Sequence, residues 1–309
     1  VVHQVVEGDW LDMEPSQVKW PDLLIGTHKK LLLMRDRKLY PLAEEDGPFY
    51  GITWDYDQIY VGVRYGGGGM VHMFSPQGKD LGILPGAYNE IHQIFHTGQR
   101  LYITSTGIDE VAIWENGDCT IRNWTGKDGD TIHVNSIWVD PQHLDKVYLI
   151  CHNLTSYTKN LSAIIVMDPD LTMVKKKWRI GGDVHNVWVN DDLIYICDSH
   201  NTRLLEYTIA GAGAISREIP LQRWTRGLAA TDKYMVVGES MVGMGLAREQ
   251  GSFTLNLIDR EQWKVVDTIE VDGLGAVFEV RVINERDYAH NGIACPLDWK
   301  NYDGPLLQT

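Results

Sequence analysis

The chain repeats itself, and the repeat limits what it can fold into more than any other feature. In DVHNVWVNDDLIYICDSHN, residues 183–201, His185 stands at the head of a short apolar strand. A turn of Asn and Asp follows, and a second strand is centred on Tyr195, ten residues after the histidine. The same phrase runs from His92 in EIHQIF to Tyr102 in RLYIT, from Tyr50 in FYGITW to Tyr60 in QIYVG, and from Arg226 in TRGLAA to Val236 in YMVVG. Asn135 in VNSIWVD reaches Tyr148 in KVYLI after thirteen residues, with PQHLD as a longer turn. The heads fall at 50, 92, 135, 185 and 226, in steps of 42, 43, 50 and 41 residues. Two further strand-like segments follow each pair, such as AIIVMDP and KKKWRIG, or RLLEYTI and SREIPL.

Four short strands in each repeat of about 40–50 residues are the pattern of a β-propeller blade. Apolar and polar residues alternate within them as in half-buried strands. No long stretch has helical spacing. AVFEVRVI (276–283) reads as one more first strand, with no full blade after it. DLLIGT, KKLLLMR and RKLYPLA, near the start, read as three strands with no first strand before them. Joining the two ends gives a sixth blade and leaves no open sheet edge in the ring. The expectation is an all-β chain forming one domain, 1–309. It is a six-bladed β-propeller whose last blade comes from residues 20–47 plus 276–283, with a C-terminal tail over 284–309. There is no G-H…W-D signature.

HNVWVNDDLIYICDSHNTRLLEYT resembles one repeat of the six-bladed propellers of the NHL, SMP-30/gluconolactonase and strictosidine-synthase-like superfamily. The likeness lies in the D-x-x-N-x-R-L phrase, Asp198 to Leu204, followed by an aromatic strand. It is close in this repeat and loose in the others. It speaks to architecture more than to chemistry, because one fold hosts many activities. It implies that the loop entering each first strand and the loop after each second strand face one mouth of the central channel. Many members bind a divalent metal or a small molecule there.

On that arrangement the head residues Tyr50, His92, Asn135, His185, Arg226 and Glu279 ring the mouth. Blades two, four and six would bring His92, His185 and Glu279 together at intervals of 120°, with His133 as a further imidazole. Two imidazoles and a carboxylate suit a divalent metal such as Fe, Mn, Zn or Cu. Glu279 has a competing role, because Arg281 shares its strand face and a shift of one residue would turn Phe278 inward instead. Arg226 would hold an anionic group, and Tyr50 or Glu239 would move protons. Asn135, Arg64, His152 and Asp198 are expected around the substrate or behind the ligands, with Asp198 the natural support for His185. Trp138, Trp188 and the recurring tyrosines read as core between blades.

The functional expectation is a metal-dependent enzyme of hydrolase, lyase or redox type, acting on a small polar or anionic molecule in the channel. The alternatives are a non-enzymatic propeller scaffold for a protein partner and a metal-free small-molecule enzyme. The formal net charge of −14 argues against nucleic acid and an acidic membrane surface as partners. No apolar run is long enough to span a membrane. Cys119, Cys151, Cys197 and Cys295 form no C-x-x-C pair and read as free thiols in a soluble, cytoplasmic protein. The N-x-S/T triplets at Asn123, Asn153 and Asn160 keep secretion open.

Overall fold

The computed structural model describes residues 18–123, 125–126, 128–153, 161–209, 214–241, 246–302, 304 and 306–307. The extreme N-terminal stretch and Asn160 lie outside them. Six four-stranded antiparallel sheets stand in a ring. Their inner strands are Phe49–Trp54, Ile91–His96, Val134–Val139, Val184–Asn190, Trp224–Ala230 and Val277–Val282. The sixth sheet pairs Val277–Val282, from the end of the chain, with Leu23–Thr27, from its start, in antiparallel register. The ring is thus closed by both termini, as the repeat count predicts. Among the described residues, no helix is long and apolar enough to cross a membrane.

Burial falls from the axis outward and follows the residue types. The inner strand VFEVRV is buried at every position, whereas the outer strand Val174–Arg179, VKKKWR, is almost entirely exposed. Lysines on an exposed edge strand also discourage pairing with another chain. The tight turns use residues that tolerate a left-handed backbone, such as Asn116 and Gly117 at φ 53° and 87°. Trp188 stacks on Tyr195 with centroids 4.5 Å apart, and Trp138 meets Tyr148 edge-on at 5.7 Å. Both pairs belong to the main core cluster, as their matching repeat positions suggest.

Each inner strand has a pairing irregularity at its head, for example between His185 and Val187. Such a bulge turns two successive side chains toward the axis. Asn186 takes a positive φ of 50° there, and its counterpart Gly227 a φ of 77°. A Cβ on Gly227 would also lie 2.8 Å from the Val280 side chain, so glycine answers both demands.

The far mouth of the channel is stoppered by the C-terminal segment. The Asn291 side-chain amide donates to the Trp54 carbonyl, and a ring nitrogen of buried His290 lies 3.1 Å from Thr53 Oγ1. Asp287 accepts backbone N–H bonds from Ala230, Val282 and Ala289.

Candidate functional site

The other end of the channel, at the heads of the inner strands, carries four imidazoles side by side. Ring centroids of His92 and His133 are 5.1 Å apart, those of His133 and His152 4.6 Å, and those of His152 and His185 4.7 Å. Tyr50 continues the chain beyond His92 at 4.7 Å, and Phe278 lies 4.3 Å from Tyr50. Arg226 holds its guanidinium carbon 5.3 Å from the Phe278 ring centre and 5.9 Å from that of Tyr50. The expected residues Tyr50, His92, His133, His152, His185 and Arg226 are therefore neighbours. Asn135 joins them, with its amide against His152 Nε2 and the Val184 carbonyl.

Hydrogen bonds set the tautomers of three of these rings. His92 Nδ1 lies 3.0 Å from the Glu90 carbonyl, which can only accept, so Nδ1 carries the proton. His133 Nδ1 faces a carboxylate oxygen of Asp130 at 2.9 Å. His185 Nδ1 lies 2.8 Å from Ser199 Oγ, whose own proton goes to the Thr225 carbonyl at 2.6 Å. Ser199 therefore accepts from His185. In His92 and His185, which burial keeps neutral, Nε2 keeps its lone pair. Glu90 and His133 both sit in the left-handed region, at φ 53° and 54°, where the loops enter their strands.

The electrostatics are one-sided. Burial holds His92, His152 and His185 neutral well below the usual imidazole range, and positive charge on Arg226 adds to the effect. Burial also lowers the Arg226 guanidinium, to about 10, with repulsion from Arg248 helping. For the Tyr50 phenol, burial acts upward, but the guanidiniums of Arg226, Arg248 and Arg64 outweigh it and the net shift is downward. Arg64 is already paired with Glu90 at 2.5 Å. Among the described residues Arg226, 8% exposed, makes no ion pair and its Nε and Nη1 have no hydrogen-bond partner, while the Tyr50 hydroxyl meets part of its charge. Among the described residues His185 Nε2 and Asn135 Oδ1 are buried and unpartnered as well.

Three expected members stand elsewhere. Glu279 does not join the histidines; Phe278 is the head residue of blade six. The Glu279 carboxylate lies in the next ring inward, where it accepts from Gln93 Nε2 at 3.0 Å and Asn186 Nδ2 at 3.2 Å and pairs with Arg281 at 3.1 Å. Burial pushes its carboxyl up to about 7, with Arg281 acting against the rise. Asp198 does not support His185, because Ser199 does. Asp198 accepts from the Gly182 N–H at 2.8 Å, from Asn201 at 3.0 Å and from Arg203 Nε at 2.8 Å. Glu239 occupies the matching place one blade on and accepts from the N–H groups of Gln222 and Arg223 at 2.8 and 2.6 Å. Both carboxylates fasten the loop that enters the inner strand. Among the described residues, no three His, Cys, Asp or Glu side chains are arranged to hold a metal ion.

Sequence reasoning missed His28, Ser199 and Arg248. His28 follows Leu23–Thr27 just as His152 follows Val147–Cys151, so strand alignment could have found it. Arg248 lies on the short helix Leu246–Gln250, outside the repeat, and donates to the Tyr50 hydroxyl at 2.9 Å.

No family model matches the chain, and no curated protein matches it. Solved structures do. A chain of a nidogen–laminin complex aligns with TM-score 0.64 at 12% identity, over 86% of this chain and 100% of that one. A Bacteroides caccae protein of unknown function aligns with TM-score 0.61 at 14% identity, again over 86% and 100%. A chain of a mitotic checkpoint complex aligns with TM-score 0.55 at 10% identity, over 89% and 92%. At such identities these neighbours establish the propeller fold alone.

Proposed function

We propose that the protein is an enzyme acting on a small anionic molecule bound at the imidazole-lined mouth of its channel. One observation carries this reading: the guanidinium of Arg226 is buried, has two unpartnered nitrogens and makes no ion pair among the described residues. A buried cation of this kind is costly unless something compensates it. A carboxylate or phosphate group meets the need, because its oxygens match the fork of guanidinium N–H groups. The acidified Tyr50 phenol beside it is the proton-transfer group, and the lone pair on His185 Nε2 accepts from a substrate hydroxyl or takes up a proton. Chemistry of hydrolase or lyase type follows from this set. Kinship with the NHL, SMP-30/gluconolactonase and strictosidine-synthase-like propellers belongs to the same proposal. It is supported by the blade count, the closure by both termini and the Asp198–Leu204 phrase.

A divalent metal is the second reading, favoured by the pinned Nδ1 atoms of His92, His133 and His185. Ligating histidines usually donate one N–H to an oxygen and offer the other nitrogen to the metal. The three rings would have to draw together, since their donors do not converge as they stand.

The test follows a library of carboxylates and phosphate esters by NMR, with wild type, Tyr50→Phe and protein stripped with chelator. Turnover of at least one compound, lost in Tyr50→Phe and kept after stripping, is the expected result. Turnover lost on stripping and restored by one metal would replace it with the metal reading. No turnover of any compound contradicts the enzymatic proposal.

A further inference from the structure

Arg248 reaches the imidazole-lined mouth by a route outside the repeat. The second and third strands of blade five, Tyr234–Ser240 and Phe253–Asp259, are joined through the helix Leu246–Gln250. The corresponding strands of blade one, Ile59–Tyr65 and Gly68–Phe74, are joined by residues 66–67 alone. The backbone holds the helix against the head of blade six. The Arg248 carbonyl accepts from the Ala276 N–H at 2.8 Å, two residues before Phe278, and the Gly251 carbonyl accepts from the Gly275 N–H at 2.9 Å. A Cβ on Gly275 would lie 2.8 Å from the Arg248 carbonyl oxygen and 2.6 Å from that of Glu249, so glycine is what admits the helix so closely.

That docking sets Arg248 beside Arg226. The two guanidinium carbons lie 5.0 and 5.3 Å from the centre of the Phe278 ring. Arg248 Nη2 donates to the Tyr50 hydroxyl at 2.9 Å, and the same hydroxyl meets part of the charge of Arg226. Two cations therefore share one ring and one oxygen. An un-ionised hydroxyl accepts N–H groups but cancels no charge. Arg64, which also repels Arg226, is paired with Glu90, yet among the described residues no carboxylate oxygen lies within 4.0 Å of Arg226 or Arg248. Glu249, the next residue on the helix, acts on His28 instead. Arg226 is buried and Arg248 half-buried, so water screens their repulsion less than on an open surface.

A monoanion cancels one of these charges and leaves the other, whereas a dianion cancels both. The two guanidiniums reach a common oxygen. That favours one compact group, with its charge on adjacent oxygens, over two carboxylates held apart by carbon. A phosphate monoester is such a group, because its three terminal oxygens can take N–H bonds from both guanidinium forks at once. We propose that the ligand of this mouth is a phosphate monoester held between Arg226 and Arg248, and that Arg248 selects two charges over one. The proposal deepens the anion-binding reading above and rests on it.

Calorimetric titration at pH 8.0 with methyl phosphate, dimethyl phosphate and malonate tests it. A phosphate monoester loses its second proton near about pH 6, so methyl phosphate is a dianion there. Dimethyl phosphate is a monoanion of similar shape, and malonate is a dicarboxylate. The expected result is that wild type binds methyl phosphate at least about tenfold more tightly than either of the others. Arg248→Gln should lose about tenfold for methyl phosphate and less than about threefold for dimethyl phosphate, with an unchanged melting temperature. The comparison within wild type stands without the variant. Equal binding of the two phosphates, tighter binding of malonate, or a preference kept in full by Arg248→Gln would overturn this proposal and leave the anion-binding reading in place. Binding of none of the three by wild type would overturn both.

Discussion

Two successive rings of side chains line the channel, and they are built on opposite terms. The outer ring is Tyr50, His92, Asn135, His185, Arg226 and Phe278, from the heads of the six inner strands. The ring below includes Gln93, Asn186 and Glu279, the very next residues in blades two, four and six. There Gln93 donates to Glu279 and accepts from the Ile137 N–H at 2.8 Å, while Asn186 donates to Glu279 and accepts from the Gly227 N–H at 2.7 Å. None of the buried polar atoms of Gln93, Asn186, Glu279 or Arg281 lacks a partner. Among the described residues, His185, one residue before Asn186, carries a buried atom without one, as do Asn135 and Arg226 at the heads of blades three and five. Neighbouring positions on one scaffold thus separate into a saturated floor and an unsaturated mouth. A saturated polar network fixes structure, whereas an unsaturated one has hydrogen-bonding capacity left for water, an ion or a ligand.

The difference gives substitutions of opposite sign. The largest effect is expected at the floor. Glu279→Ala leaves Arg281 buried with two backbone carbonyls and one carboxylate, that of Asp287 at 3.8 Å, and should lower stability by about 3–5 kcal/mol in denaturant titration. Arg226→Met at the mouth removes a buried cation with two unpartnered nitrogens among the described residues and should raise stability, by about 1–3 kcal/mol. A loss of stability in Arg226→Met would mean that the mouth is as well satisfied as the floor.

Acid sharpens the contrast. His92, His152 and His185 titrate well below 6.5 when folded, so below pH 6.5 the unfolded chain binds more protons and stability falls with acidification. Each contributes about 1.4 kcal/mol per pH unit where only the unfolded form is protonated. Glu279 and Asp287, pushed up to about 7 and about 6, act the other way: the folded chain binds more protons, and stability rises as the pH falls from about 7 toward the ordinary carboxylate range. His185→Asn should therefore make the loss of melting temperature between pH 6.5 and 5.5 shallower, and an unchanged slope would count against a neutral buried His185. The smallest effect on stability is expected of Tyr50→Phe, under about 1 kcal/mol, while its turnover should fall by about two to four orders of magnitude.

The fold was legible because the repeat was. The head-to-strand spacing gave the blade count, and the orphan strands at the two ends gave the closure. The histidines of the mouth were legible for the same reason, since a repeat places equivalent residues on one ring. Glu279 was misplaced by a single residue because the bulge at each strand head turns two neighbours inward, and period-two reasoning allows only one. Asp198 and Glu239 looked like chemistry, yet each accepts backbone N–H groups of an incoming loop, a role that residue type alone does not reveal. Arg248 had no repeat position to announce it.

The central claim is that Arg226 awaits an anion. Calorimetric titration of phosphate, citrate and acetate into wild type and Arg226→Met, at pH 7.5 and fixed ionic strength, tests it most directly. The account predicts binding of at least one anion by wild type and a loss of about 2–5 kcal/mol in the variant. Equal binding by both proteins, or no binding by wild type, would contradict it.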